Sequence, residues 1–168
     1  MKKYTLILIG FVMILSACGK KSETAVIDPA AQAATDDAAI QAYLKANSIT
    51  NATKDASGLY YRVTTPTTIG GVYPTTASTI MVNYTGTLLD GTKFDSTSDP
   101  GRTSFSTQLV TNGIPQVILG WVYGLPHVQT GGRIVLYIPS GLGYGPGGSG
   151  AIPANACLIF TIDLLGVK

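Results

Sequence analysis

One histidine, one tryptophan and two cysteines are all that 168 residues provide of the side chains most often recruited for metal, redox and nucleophilic chemistry. Two cysteines cannot build a disulfide framework, and with a single histidine they are too few soft ligands for a structural zinc site, so no metal is expected. A Ser-His-Asp hydrolase would have to use His127, and no Gly-x-Ser-x-Gly elbow exists to present its serine. His127 follows Pro126 and is expected to be a packing or capping residue. Charge is also scarce, at 12% of the chain. Gly143 to Gly148 satisfies a GxGxxG search, but a dinucleotide fingerprint opens a helix, which Pro146 and Pro153 preclude here.

What is present begins with a leader. Met1-Lys2-Lys3 is basic, Tyr4 to Leu15 is almost wholly apolar, and Ser16-Ala17 places small residues before Cys18, the layout of a signal peptide over residues 1–17. The apolar run is shorter than the ~20 residues a spanning helix needs. Leu15-Ser16-Ala17-Cys18 resembles the lipobox of bacterial lipoproteins, which implies a diacylglyceryl anchor on Cys18 and a membrane as partner through that lipid. Each buried methylene of such a chain contributes roughly 0.8 kcal/mol. Gly19 lacks the aspartate-type cue for inner-membrane retention, so the expected location is the cell envelope, at the outer membrane, facing periplasm or surface. Without Lys2 and Lys3 the eleven basic residues fall to nine, equal to the nine acidic ones. No long-range field remains to recruit nucleic acid. Cys157, within Ala156 to Phe160, then reads as a small buried apolar residue.

Residues 18–35 are rich in Ala, Lys, Ser and Asp and read as the lipidated cysteine and a flexible tether. Residues 36–56 read as a short helix and linker, with Asp36 and Asp37 in the first turn and Ile40, Tyr43 and Leu44 at helical spacing. Its stripe is compatible with dimerisation or with capping the domain. The folded domain is expected over 57–168. Leu59, Tyr61 and Val63 alternate as in a half-buried strand, Ile80, Val82 and Tyr84 mark a second, and Asp90-Gly91 marks a tight turn. Arg133 to Ile138 and Cys157 to Leu165 are further strands. Val117, Ile118, Trp121, Val122 and Leu125 predict one short helix between Pro115 and Pro126. Pro139 to Ala156 is a long loop, and such loops in compact domains are usually functional. The fold class is α+β, sheet dominated.

The aromatic residues at turn borders sharpen this picture. Val82-Asn83-Tyr84-Thr85-Gly86, Asp90-Gly91 and Phe94-Asp95-Ser96 are followed by Val117-Ile118-Leu119-Gly120-Trp121, Gly124-Leu125, Gly131-Gly132-Arg133 and Ile138-Pro139. Tyr144-Gly145, Ile152-Pro153, Asn155, Leu158-Ile159-Phe160 and Leu164-Leu165 complete the series. In this collinear order, from Gly58 to Lys168, the chain resembles the FKBP-type peptidyl-prolyl cis/trans isomerases. The resemblance implies an antiparallel half-barrel sheet wrapped round one short helix, with a proline pocket between them. Trp121 would form its floor. Tyr84, Phe94, Asp95, Val117, Ile118, Tyr144 and Phe160 would line it, Phe105 would join them, and Ile152 would close one side. Ile118 and Tyr144 would offer hydrogen bonds to the peptide. Gln116 stands where the family often has an acidic residue, Ala151 where a bulky one is usual, and Phe105 to Gln116 is longer than the usual link. Arg102 is the nearest arginine for the Asp95 carboxylate.

Rotation about an X-Pro bond faces a barrier of ~18–20 kcal/mol from amide resonance. A twisted amide is less polar than a planar one, so a dry apolar pocket lowers that barrier with no nucleophile and no cofactor. The implied role is to assist the folding of exported proteins. The implied partners are proline-containing polypeptides and the macrolide inhibitors of the family. Two other readings stand beside it: a binding module or holdase that grips proline segments without turning them over, and a purely structural surface protein.

Overall fold

The computed structural model describes residues 28–65 and 70–168. The signal peptide, Cys18 and most of the expected tether lie outside the described residues. Helix α1 spans Pro29–Ala46, so it begins inside the segment read as tether rather than at residue 36. The reason is local: Asp28 caps it, its Oδ1 accepting from Ala30 N at 3.0 Å, and Pro29 stands at the first turn. The alanines that follow are the best helix formers but supply no apolar stripe. Asp36 is therefore not a first-turn residue. It sits mid-helix and is buried with Ile40 and Leu44.

Strands follow in the order β1 (Thr53–Lys54), β2 (Tyr60–Thr65), β3 (Thr79–Leu88), β4 (Lys93–Ser96), β5 (Phe105–Gln108), β6 (Val110–Thr111) and β7 (Ile114–Pro115). After helix α2 (Leu119–Gly124) come β8 (Arg133–Ile138) and β9 (Leu158–Val167). The main sheet is antiparallel throughout, ordered β1-β2-β8-β9-β3-β4, with β5 pairing the first half of β3. It starts at Thr53, before the expected boundary at 57, because β1 pairs with β2. Two exposed residues cannot display alternation, which hid that strand. The β3–β4 turn closes at Asp90-Gly91 as expected, with Asp90 Oδ1 accepting from Thr92 N. The long link after Phe105 is filled by a small β6–β7 hairpin that turns at Asn112 and Gly113, both at positive φ.

Alternation along the central strands sends side chains to two different cores. On one face Ile134, Leu136, Ile138, Leu158, Phe160, Ile162 and Leu164 join Leu59, Ile80, Val82, Trp121 and Leu125. On the other, Tyr60, Val135, Tyr137, Cys157 and Ile159 pack with Ile40 and Leu44 of α1. Helix α1 thus covers the back of the sheet. Helix α2 covers the front and presses hard on β8: a Cβ on Gly120 would lie 2.6 Å from Ile138, and one on Gly124 2.6 Å from Leu136. It is shorter than the apolar spacing suggested, for Val117 and Ile118 precede it and Leu125–His127 forms a single 3-10 turn. His127 packs as expected, stacked on Tyr61 with ring centroids 4.0 Å apart.

Candidate functional site

Close seating of α2 puts Trp121 at the bottom of a cleft between helix and sheet. Its ring is 4% exposed and meets Tyr84, Phe160 and Phe105 edge to face, at centroid distances of 5.1, 5.3 and 6.2 Å. Phe94 stands edge-on to Phe160 at 5.5 Å. Such T-shaped contacts are favoured by the ring quadrupoles. Here they enclose a cavity of about 400 Å³. Its walls hold all ten residues expected from sequence: Tyr84, Phe94, Asp95, Phe105, Val117, Ile118, Trp121, Tyr144, Ile152 and Phe160. They arrive from β3, β4, β5, the segment before α2, α2 itself, the 139–156 loop and β9.

Phe105 and Tyr144 are partly exposed at the rim, whereas Ile152 is buried. Gln116 and Ala151, noted as departures, line the cavity too, as do Ser149 and Gly150, which no sequence signal marked. The Ser149–Ile152 bridge folds these small residues inward. The indole Nε1 of Trp121 is buried with no hydrogen-bond partner among the described residues.

One polar network enters this aromatic cleft. Tyr84 Oη donates to Asp95 Oδ2 at 2.5 Å, and Arg102 donates to Asp95 Oδ1, so the nearest arginine does reach this carboxylate. Burial, then the hydrogen bond and charge of Asp95, push the Tyr84 phenol up to about 12. Burial would raise Asp95, but hydrogen bonds from Tyr84 and Arg102 and the arginine charge hold it below the usual carboxylate range. Burial, aided by Asp95, also raises Tyr144. At neutral pH the cleft therefore presents two protonated phenols and one ionised carboxylate. No histidine, cysteine or lysine lines it. Among the described residues no three His, Cys, Asp or Glu side chains converge as a metal site would require.

A second cavity, of about 550 Å³, lies between α1 and the loop after β8. No aromatic ring lines it, and its charged groups are already engaged, Asp37 with Lys54 in an ion pair and Asp36 with Ser140 and Gln32 through hydrogen bonds. It lacks the convergent rings and the polar handle of the first, which we take as the functional site.

The class this defines is an antiparallel sheet with an aromatic cleft closed by one short helix. Comparison with known proteins makes this specific. The family model for FKBP-type peptidyl-prolyl cis-trans isomerase matches residues 70–165, and the chain belongs to that family. It is 41% identical over 127 residues to the FKBP-type peptidyl-prolyl cis-trans isomerase FkpA of Aeromonas hydrophila, covering 75% of this chain and 44% of that protein. It is 43% identical over 100 residues to FK506-binding protein 1 of Yarrowia lipolytica, covering 59% of this chain and 89% of that one. The crystal structure of FkpA from Escherichia coli superposes with a TM-score of 0.68 at 36% identity, over 81% of this chain and 61% of the other. The sequence match spans less than half the length of the FkpA proteins of Aeromonas hydrophila and Buchnera aphidicola.

Proposed function

We propose that the protein is a peptidyl-prolyl cis/trans isomerase acting on exported, proline-containing polypeptides. The observation that carries this reading is the aromatic cleft, floored by Trp121 and large enough at about 400 Å³ for a prolyl ring and its flanking amide. The ring would sit on Trp121 between Tyr84, Phe94, Val117, Ile118 and Phe160. Those walls strip water from the X-Pro amide, which favours its twisted, less polar form over the planar one. Ile118 stands at the cap just before α2, its carbonyl accepting from Trp121 N at 2.9 Å, and its own N–H would meet a substrate carbonyl. The Tyr144 phenol, held protonated, would donate to a second one. Asp95 orients Tyr84 and takes no proton. Each ~1.4 kcal/mol by which the twisted amide is favoured is worth about tenfold in rate. The same apolar walls suit the macrolide inhibitors of the family.

The test is cis-to-trans relaxation of a peptide with a hydrophobic residue before proline, run beside a Tyr84→Ala, Phe94→Ala double variant. Acceleration by the parent and its loss in the folded variant support the enzyme. A folded parent that binds the peptide without accelerating it would leave a binding module instead.

Residues 1–18 support an envelope location at the outer membrane through a lipid on Cys18. A Cys18→Ser protein should lose both lipid labelling and recovery in the membrane fraction.

A further inference from the structure

The 139–156 loop brings Tyr144 and Ile152 into the cleft, yet little supports it from behind. Gly141, Leu142, Gly145, Pro146 and Asn155 line the second cavity, so open space lies beneath that stretch of the loop. Its ends, by contrast, are tied to a single residue of α1. Asp36 is 3% exposed, and its Oδ2 accepts from Ser140 N at 2.8 Å and from Ser140 Oγ at 2.6 Å. Gln32 Nε2 orients the carboxylate from the preceding turn, donating to Oδ1 at 2.7 Å. At the far end of the loop the Cys157 thiol approaches the backbone carbonyl of Asp36 at 3.9 Å. A buried carboxylate costs several kcal/mol unless its hydrogen bonds are made, and here three donors make them.

We infer that Asp36 is a positioning residue for the cleft: by holding Ser140, and by meeting Cys157 through its backbone, it fixes the loop that presents Tyr144 and Ile152. The inference rests on the isomerase reading and makes α1 a working part of the site rather than a cover for the sheet. The affinity of a pocket is reduced by the fraction of molecules in which it is assembled. Asp36→Ala removes the carboxylate that holds Ser140 and frees that end of the loop over open space, while the backbone contact with Cys157 stays; if about a fifth of molecules then hold the competent loop, KM rises about fivefold. The kcat of the assembled fraction stays near that of the parent.

The experiment compares Asp36→Ala, Ser140→Ala, Asp36→Asn and Leu44→Ala. It reads kcat and KM for a proline peptide, peptide Kd from the fluorescence of Trp121, and amide hydrogen exchange across 141–152. Leu44 is buried on the same helix and makes none of the hydrogen bonds to the loop, so its variant should lower Tm while leaving KM and Kd unchanged. Asp36→Ala and Ser140→Ala should raise KM and Kd together and speed exchange in the loop. Asp36→Asn keeps a carbonyl acceptor for Ser140 and should restore most of the affinity. An unchanged Kd in Asp36→Ala, or an equal rise in Leu44→Ala, would overturn the assignment. A parent that fails to accelerate the peptide would sink the isomerase reading alone, because Kd and exchange still decide the role of Asp36.

Discussion

The two faces of one sheet are finished differently. Behind it, Ile40, Leu44, Tyr60, Val135, Tyr137, Cys157 and Ile159 are buried against α1. In front, Trp121 and Phe160 are equally buried, but rings standing on edge leave a cavity between them. The contrast runs through neighbouring residues, since Ile159 faces back and Phe160 faces front on the same strand. Both faces are apolar, so hydrophobicity alone does not mark the site. What marks it is incomplete packing by rigid rings, with a phenol and a carboxylate at the opening.

The sharpest way to break this comparison is to truncate those neighbours. Phe160→Ala should cost about 3–5 kcal/mol in urea unfolding. Its kcat/KM should also fall roughly a hundredfold, the equivalent of ~2.7 kcal/mol of transition-state contact. Ile159→Ala should cost about 2–5 kcal/mol and leave kcat/KM per folded molecule unchanged. Similar kinetic losses in both would show that the front face has no special status.

A smaller effect is expected from Tyr84→Phe, which removes the hydrogen bond to Asp95 and should destabilise by about 1.5–3 kcal/mol at pH 7. Its pH dependence has two edges. Asp95 is held below its ordinary value when folded, so its share is present above ~3.9 and is lost as pH falls. Tyr84 is raised, so its share is present below ~10 and is lost as pH rises through about 12. The stability difference between parent and variant should therefore be flat from about pH 5 to 9 and shrink on either side. A difference that varied across neutrality would contradict the network.

Arg102 lies at the solvent-facing end of that network, with its side chain about half exposed. Arg102→Gln should leave stability almost unchanged, with any loss shrinking further in high salt. Smallest of all, Lys54→Ala breaks the exposed pair with Asp37 behind the sheet and should change stability by no more than about 0.5 kcal/mol, with no change in kcat/KM.

The front of the molecule was legible in sequence because its residues are large and stand in a recognisable order. Tyr84, Phe94, Trp121 and Phe160 carry bulk that few positions tolerate, and the turns between them fix their spacing. The back was not. Pro29 to Thr35 forms helix through alanine, which has propensity but no stripe, so the apolar pattern shows only the second half of α1. Asp36 reads in sequence as a first-turn acid, and its partner Ser140 is 104 residues away. Polar pairing over that distance leaves no local pattern. The β6–β7 hairpin is an intermediate case: Asn112-Gly113 is a strong turn signal, but strands of two residues give it no alternation to accompany.

The strand order also sets a schedule. β9 bonds to β3 on one side and β8 on the other, and without it the sheet falls into two unconnected ribbons. It is also the last of these strands to be synthesised. Loops this long must close before their contacts reward them, which makes such topologies slow to fold. The β2–β8 pair and the β3 hairpin can form earlier, but neither joins the other until Leu158 to Val167 arrive. The aromatic cleft, which needs Phe160 beside Tyr84, is thus among the last features to exist. Its walls come from segments spread along the chain, and the strand that joins the two ribbons converts them at once into a site.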